Sequence, residues 1–221
     1  MAVATEFLKR VPFFADLGPL EIERVATRVV ERRFGKGEIV FLEDSPCHGL
    51  YLVASGRVRV YKVSPEGREQ VLLIAGLGET FNEVPVFDGG LNPATAQALE
   101  TTILYLLPRE DVQALAADYP AMGLAVMRVF ASHLRHLTLL VEDLSFRNVT
   151  SRVARILLKS EEEQARDRPG PYLSQKQIAA LAGTAREVVG RVVKSLEEKG
   201  AVSIEHGRIV RIDRQRLMEA V

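Results

Sequence analysis

The sequence is short of cysteine and of long apolar runs. Cys47 is the one cysteine in 221 residues, which excludes an internal disulfide framework, a cysteine-rich zinc site and an all-cysteine iron–sulfur cluster. No stretch reaches the roughly 18 consecutive apolar residues of a membrane-spanning helix. Glu6, Lys9 and Arg10 interrupt the N-terminus where a signal peptide would be apolar. We therefore expect a cytoplasmic protein that does not enter a membrane.

The sequence also lacks a net charge, with 29 Lys and Arg against 29 Asp and Glu. A zero balance disfavours a nucleic-acid binder unless the charges are unevenly distributed. Residues 150–221 hold 14 basic and 10 acidic residues, a balance of +4, whereas residues 1–149 hold 15 and 19, a balance of −4. The C-terminal third therefore carries the excess positive charge expected of a DNA-binding domain.

The first half of the chain is rich in short β-type runs. Glycines and polar turns separate them at intervals of about 8–12 residues, a pattern typical of a jelly roll with about eight strands. Before these runs, apolar residues at helical spacing, the last of them Val29 and Val30, predict helix within residues 1–32. The runs themselves are Ile39–Phe41, Leu50–Val53, Val58–Val63, Val71–Ile74, Ala94–Leu99 and Thr102–Leu107.

A long helix is predicted over residues 121–147, which contain no proline and no glycine beyond the first turn. Apolar residues recur there at steps of three and four, the spacing of a coiled-coil seam that would pair two copies of the chain. A second stripe, Val129, Leu134 and Val141, favours pairing, and a single helix packed on its own domain is the alternative. For His133 we favour a packed or paired role over a metal-ligand role. The predicted seam consists of Val126, Phe130, His133, Leu137, Leu140 and Leu144.

Residues 173–196 have the pattern of two helices joined by a tight turn. Ser174 is a suitable N-cap for the first helix, with Gln177 as its capping-box partner. Gly183 can supply the left-handed turn residue, and Thr184 can cap the second helix. The pattern predicts a helix-turn-helix, whose second helix would enter the major groove of DNA.

The second helix of this motif has polar residues on the face opposite its apolar stripe. Arg186 and Glu187 lie in its first turn and Arg191 one turn further, where arginine can bind guanine and glutamate can accept from cytosine. A solvated face with a Glu187–Arg191 ion pair is the alternative. Neighbouring polar residues and the tip of a following hairpin, which we interpret as a wing, are expected to contact phosphates. They are Ser174, Gln175, Lys176, Thr184, Lys194, His206 and Arg208.

Together these elements predict an α+β fold in three parts. Residues 1–119 form a β-roll with flanking helices, residues 120–148 form a dimerisation helix, and residues 149–221 form a winged helix-turn-helix domain. Ser151 is expected to cap the first helix of the last part, which would run from Arg152.

With these elements, the whole chain resembles the cyclic-AMP receptor protein/FNR (Crp/Fnr) family of bacterial transcription regulators. The most specific match is the segment Gly183–Arg191, GTAREVVGR. In the receptor-protein branch the equivalent Arg, Glu and Arg read a half-site of the form TGTGA, so the resemblance implies this role for Arg186, Glu187 and Arg191. It further implies a homodimer on a palindromic promoter site, a double-stranded β-helix like that of cyclic-nucleotide-binding domains, and contact with RNA polymerase as an activator.

Residues 78–96 resemble the phosphate-binding cassette of the same family. Cyclic-AMP binders carry a Gly-Glu pair there, followed by an Arg-Ser pair, whereas this chain has Asn82-Glu83 and Pro93-Ala94. Proline offers neither charge nor hydrogen-bond donor to a cyclic phosphate. We therefore expect that cyclic AMP does not control this protein in the usual way. The resemblance implies that an effector pocket would be bordered by Asn82, Glu83, Asn92, Thr95 and Thr138.

The other effectors of the family need ligand residues that can be checked against this sequence. An FNR-type iron–sulfur cluster needs several cysteines, and His48, His133 and His136 match no haem-ligand pattern. Scattered histidines argue against a metal-dependent enzyme on the β-roll. We therefore expect no catalytic residues, no metal and an idle or packed Cys47, and neither cyclic AMP nor haem as a cofactor. An unidentified small ligand, or activity without a ligand, remains. A haem or small-molecule sensor, or a metal-dependent β-roll enzyme with a vestigial DNA-binding domain, is the alternative.

Overall fold

The computed structural model describes residues 5–167, 173–205 and 208–221, and the chain divides into two compact units. The N-terminal unit contains Met1–Lys62 and Leu72–Leu137, and the C-terminal unit contains Val63–Val71 and Thr138–Val221. The division falls within a long helix rather than at its end.

The N-terminal unit begins with helical segments, α1 (Thr5–Leu8), a 3₁₀ helix (Pro12–Phe14) and α2 (Pro19–Arg28). The prediction of helix within residues 1–32 is wrong for its last residues, because α2 ends at Arg28 and Val29 is extended. The β-branched pair Val29-Val30 loses χ1 freedom in a helix and suits a strand. Val30 accordingly begins the first strand.

Eight strands confirm the predicted jelly roll. They form two four-stranded sheets with the orders β1-β8-β3-β6 and β2-β7-β4-β5. The pairs β1–β8, β3–β8 and β4–β7 are antiparallel. The strands are β1 (Val30–Phe34), β2 (Ile39–Phe41), β3 (Gly49–Ser55), β4 (Val58–Val63), β5 (Glu69–Ala75), β6 (Thr80–Phe81), β7 (Thr95–Ala98) and β8 (Thr102–Pro108).

Apolar clusters hold the β-roll and its helices together. In one cluster the rings of Phe41, Tyr51 and Phe81 contact one another, with centroids 5.3–6.0 Å apart. In another, residues of the N-terminal helices such as Phe13 pack with Leu50 of β3. Each fully buried side chain of this size contributes about 1.5–3 kcal/mol to folding.

Three further helices occur in this part of the chain, one between β6 and β7 and two after β8. They are α3 (Glu83–Asp88), α4 (Arg109–Asp118) and α5 (Pro120–Phe146). Helix α4 ends at Asp118 and Pro120 opens α5, where its missing N–H costs no hydrogen bond. The long helix predicted over residues 121–147 is therefore present.

The C-terminal unit has its own apolar core, which includes Val153, Leu157, Ile178, Val189 and Leu196. The predicted helix-turn-helix and β-hairpin are both formed. The elements are α6 (Val149–Asp167), α7 (Gln175–Ala182), α8 (Arg186–Glu198), β9 (Val202–Glu205), β10 (Arg208–Ile212) and α9 (Arg214–Met218).

The start of α6 differs from the prediction. Ser151 was expected to cap a helix beginning at Arg152, but α6 begins at Val149. Asn148 Oδ1 accepts the N–H of Ser151 at 2.9 Å, so Asn148 satisfies an N-terminal donor of the helix. The Ser151 hydroxyl instead donates to the carbonyl of Val221 at 2.7 Å. Asparagine and serine are both good caps, and the sequence alone did not discriminate between them.

Candidate nucleic-acid interface and the β-roll cassette

The turn between α7 and α8 follows from local sequence. The Ser174 hydroxyl accepts the N–H of Gln177, and the Gln177 side chain accepts the N–H of Ser174 at 2.9 Å, which confirms the capping box. Gly183 has φ of +61°, the left-handed conformation predicted for it. The prediction that Thr184 caps α8 is wrong, because Ala185 occupies the N-cap position and no side chain caps it.

Helix α8 has a buried face and an exposed face. Val189, Val193 and Leu196 are buried in the core of the C-terminal unit. The residues predicted to read bases, Arg186, Glu187 and Arg191, are all exposed on the other side, together with Lys194. In the described part of the chain, no ion pair joins Glu187 to Arg191. The exposed face therefore offers two guanidinium groups, one carboxylate and one ammonium group to a partner.

The residues predicted to contact phosphates differ in exposure. Ser174 and Lys176 are exposed, and Gln175 and Thr184 are half-buried. The Lys176 ammonium lies 3.9 Å from the carboxylate of Glu69, which belongs to the same unit. Of the two residues predicted at the wing tip, His206 lies outside the described residues and Arg208 is described only as the β10 residue paired with Glu205 of β9.

Within the cassette, residues 78–96, hydrogen bonds of asparagine side chains join the segment between β6 and β7 to itself and to its surroundings. Asn82 has φ of +74° and donates to the side-chain oxygen of Asn92 at 3.1 Å and to the carbonyl of Gly49 at 3.2 Å. Asn92 is buried and donates to the Ser45 hydroxyl at 3.0 Å. The Thr95 hydroxyl accepts the N–H of Glu43 at 3.0 Å. Three of the predicted pocket residues therefore have hydrogen bonds within the protein.

Glu83 differs from these three residues because one of its two side-chain oxygens is unpaired among the described residues. Its side chain is 4% exposed, and its Oε1 atom is buried with no hydrogen-bond partner in that part of the chain. Burial raises the pKa of the Glu83 carboxyl, and the Thr80 hydroxyl and the His133 ring, 3.9 Å from Oε2, oppose this rise. Thr138, the fifth predicted pocket residue, is exposed on α5 within the C-terminal unit.

Glu83→Gln is expected to stabilise the protein in a pH-dependent way. A carboxyl whose pKa is higher in the folded state contributes stability below its unfolded pKa and loses it as pH rises through the folded pKa. The variant should therefore gain stability at neutral pH, because the amide carries no charge to bury, by about 1.4 kcal/mol for each unit by which burial raises the carboxyl pKa, and should gain little at about pH 4. Urea denaturation across this pH range measures the difference. The exposed control Glu23→Gln should show no such trend, and a pH-independent gain for Glu83→Gln would contradict the explanation.

The apolar residues of α5 face two directions. Val126 and Phe130 of the predicted seam pack against the core of their own unit, and His133 lies against Glu83. Leu137 and Leu144 are exposed, and Leu140 is half-buried. The seam as a whole stays a prediction. Its first three residues lie against the β-roll of their own unit, because α5 carries two apolar stripes and the first of them covers the β-roll. The exposed positions at alternating steps of three and four are Leu124, Met127, Ala131, Leu134, Thr138 and Val141.

Helix α5 is mostly exposed and apolar, and by length and composition its residues Met122–Phe146 could cross a bilayer. One such helix is weak evidence, because an exposed face that pairs with a second helix has the same composition.

Within the part of the chain that the structure describes, the cysteine and the histidines are not arranged as a nucleophilic or metal-binding site. The Cys47 Sγ lies 3.5 Å from the Asn82 amide nitrogen, and burial raises the pKa of the thiol, which lowers its thiolate fraction. His48 is exposed, and His136 Nε2 lies 2.9 Å from the carbonyl oxygen of Leu72. Within the described ranges, no three His, Cys, Asp or Glu side chains are grouped as metal ligands.

Two family models match the chain. One, described as the cyclic nucleotide-binding domain, matches residues 31–119, and the other, described as the Crp-like helix-turn-helix domain, matches residues 151–220. The chain is 36% identical over 204 residues to the cyclic AMP receptor protein of Thermus thermophilus, covering 91% of this chain and 93% of that one. It is 29% identical over 217 residues to a CRP-like cAMP-activated global transcriptional regulator of Mycobacterium tuberculosis, covering 96% and 97%.

Solved structures show the same architecture. The c-di-GMP responsive global regulator CLP of Xanthomonas campestris is similar with a TM-score of 0.78 and 27% identity, over 89% of this chain and 100% of that one. A crp/fnr-family protein from Eubacterium rectale has a TM-score of 0.84 over 96% of this chain and 98% of that one. With 23% identity, the second likeness shows the fold alone.

Proposed function

The chain belongs to the Crp/Fnr family of transcription regulators and carries its helix-turn-helix DNA-binding domain, and from this premise we propose that it acts as a homodimer on a TGTGA-like palindrome. The observation that carries the proposal is the exposed face of α8. Arg186 and Arg191 can each donate two hydrogen bonds to guanine O6 and N7, and Glu187 can accept from cytosine N4. The opposite face of α8 is buried in the core, which orients these side chains outward.

Pairing of two chains would use the exposed stripe of α5. Leu124, Met127, Leu134 and Val141 are exposed apolar residues at heptad spacing. A two-fold dimer places two recognition helices on half-sites about 34 Å, or one turn of DNA, apart. An inverted repeat of the half-site is therefore the DNA sequence that such a dimer fits.

Binding to defined duplexes tests the proposed function. The purified protein is titrated with a TGTGA-N6-TCACA duplex and with a scrambled duplex of the same composition, at one fixed salt concentration. We expect the palindrome to bind at least about 10³-fold more tightly, the lower end of the specificity of DNA-binding regulators. Equal affinity for both duplexes would refute the proposal.

We further propose that cyclic AMP does not control this protein in the usual way. The two relatives above are named as a cyclic AMP receptor and as a cAMP-activated regulator, so the proposal sets this chain apart from them. Pro93-Ala94 supply neither the charge nor the hydroxyl that a cyclic phosphate requires. The amides of Asn82 and Asn92 are already hydrogen-bonded to each other. A desolvated charge pair of this type is worth about 2–5 kcal/mol, so its loss weakens the binding of the nucleotide strongly.

Pro93→Arg combined with Ala94→Ser is expected to create affinity for cyclic AMP. The arginine would restore the charge partner of the phosphate, and the proposal predicts tighter binding than the unmodified chain by about 2–5 kcal/mol. Isothermal titration of both proteins measures this difference, with the single change Ala94→Ser as the control. Tight binding of cyclic AMP by the unmodified chain would contradict the proposal.

Activation of promoters through RNA polymerase and a cytoplasmic location complete the proposed function. They are supported by the family, whose matched relative in Mycobacterium tuberculosis carries the name of a transcriptional regulator. Transcription in vitro from a promoter with the palindrome upstream tests the activator role, and repression or no effect would contradict it.

A further inference from the structure

Arg152, in the first turns of α6, connects the ends of two other helices. Its Nε donates to the carbonyl of Ala182 at 2.9 Å, and its Nη1 donates to the carbonyl of Arg147 at 2.9 Å. Ala182 is the last residue of α7, and Arg147 directly follows the end of α5 at Phe146. All of these residues belong to the C-terminal unit.

The chemistry of these contacts suits a positioning role. The last carbonyls of a helix have no partner within that helix and carry a partial negative charge. One guanidinium group satisfies a carbonyl at the end of each helix, and its planar fork holds the two acceptors in a fixed relation. Lysine has no such fork and would place a single ammonium between them.

A carboxylate in the last turn of α5 strengthens the same junction. The Asp143 side chain accepts from Arg155 Nη1 at 2.9 Å, and the Arg147 guanidinium lies 2.8 Å from the same oxygen. Arg155 is three residues after Arg152 and therefore on the same side of α6. The first turns of α6 thus hold the last turn of α5 through both a side chain and a backbone carbonyl.

The turn of the helix-turn-helix is also close to α5. A Cβ atom added to Gly183 would lie 3.0 Å from Leu144 Cδ2 and would overlap the Gln70 side chain. The positive φ of Gly183 is the constraint that favours glycine here. Helix α8 begins three residues later, so the position of α7 relative to the end of α5 determines the position of the recognition helix.

We propose that Arg152 is a positioning residue that sets the distance between the two DNA half-sites, by joining the end of α7 to the end of α5. This inference rests on the proposed function, because it assumes that α5 pairs two chains and that α8 reads DNA. One added base pair moves a half-site by about 3.4 Å and rotates it by about 35°. A rigid junction should reject this change, and a junction without Arg152 should tolerate it.

The test is a spacing series. Duplexes carry two TGTGA half-sites in inverted orientation with spacers from about 4 to 8 base pairs, and a further duplex carries one half-site. The full chain should favour one spacer by about tenfold or more over its neighbours. Arg152→Gln and Arg152→Lys should reduce this preference to about threefold or less and leave single half-site binding within about twofold. Arg214→Gln removes an arginine from the same unit, where it pairs with Glu161 and Glu162, and should leave the preference unchanged.

The outcomes separate the two proposals. If the unmodified chain prefers no duplex, the proposed function is refuted. If it prefers one spacer and Arg152→Gln keeps that preference, the inference is refuted and the function stands. Equal loss of affinity on every duplex, with a lowered melting temperature, would show that Arg152 merely stabilises the fold and would also overturn the inference. Loss of the spacer preference with single half-site binding retained supports it.

Discussion

Arg186→Ala is expected to remove about 1–3 kcal/mol of binding free energy from each half-site, or about 2–6 kcal/mol from a dimer on a TGTGA palindrome. The side chain is exposed in the first turn of α8, where recognition helices contact base edges, and no ion pair is seen for it in the described part of the structure. Binding to scrambled DNA should change little, because that binding depends on phosphate contacts. Fluorescence anisotropy on both duplexes measures the two affinities.

Lys176→Ala is the matched control for this result. It also removes one positive charge from the helix-turn-helix, but at an exposed position where we expect a phosphate rather than a base. It should weaken all duplexes by similar factors and lower the salt dependence of binding by about one unit per bound chain. If Arg186→Ala and Lys176→Ala had the same effect on both duplexes, base reading by Arg186 would be refuted.

Leu134→Glu is expected to separate the dimer. Leu134 is 64% exposed at the middle of the apolar stripe of α5, so pairing would place two glutamates against each other on an apolar seam. The variant should sediment as a monomer, and its affinity for the palindrome should fall by about 10²- to 10⁴-fold, the usual loss when two linked sites become independent. Sedimentation velocity and anisotropy measure the two effects.

A leucine elsewhere provides the control for this substitution. Leu20 of α2 is 76% exposed and lies outside α5, so Leu20→Glu should leave the dimer and its DNA affinity unchanged. A dimeric Leu134→Glu variant with full affinity for the palindrome would contradict the assignment of this stripe to pairing.

The helix-turn-helix is the part that could be predicted best from sequence. Its signals are local, because the capping box of Ser174 and the left-handed turn at Gly183 depend on residues within a few positions. The strands of the β-roll were predictable for a similar reason, since β-branched runs and glycine turns alternate regularly. Local signals were ambiguous where two residues could perform the same task, as Ser151 and Asn148 could at the start of α6.

The faces of α5 and the cassette required the structure. Helical periodicity shows that α5 has apolar stripes, but only tertiary packing shows that Phe130 covers its own β-roll and Leu134 faces outward. The bond between Asn82 and Asn92 joins residues ten positions apart across the cassette, and no spacing rule predicts it. The contacts of Arg152 with two helix ends were equally absent from the sequence patterns, because one partner is thirty residues away.

Selection from random DNA by the purified chain measures base reading by α8 without presupposing a sequence. The protein is incubated with a pool of random duplexes, with and without cell extract, and the bound fraction is sequenced over several rounds. We expect enrichment of an inverted repeat of TGTGA-like half-sites with one spacing, and a loss of the guanine preference with Arg186→Ala. Enrichment of no sequence in either condition, or of a single unrepeated motif that Arg186→Ala does not change, would contradict base reading by α8.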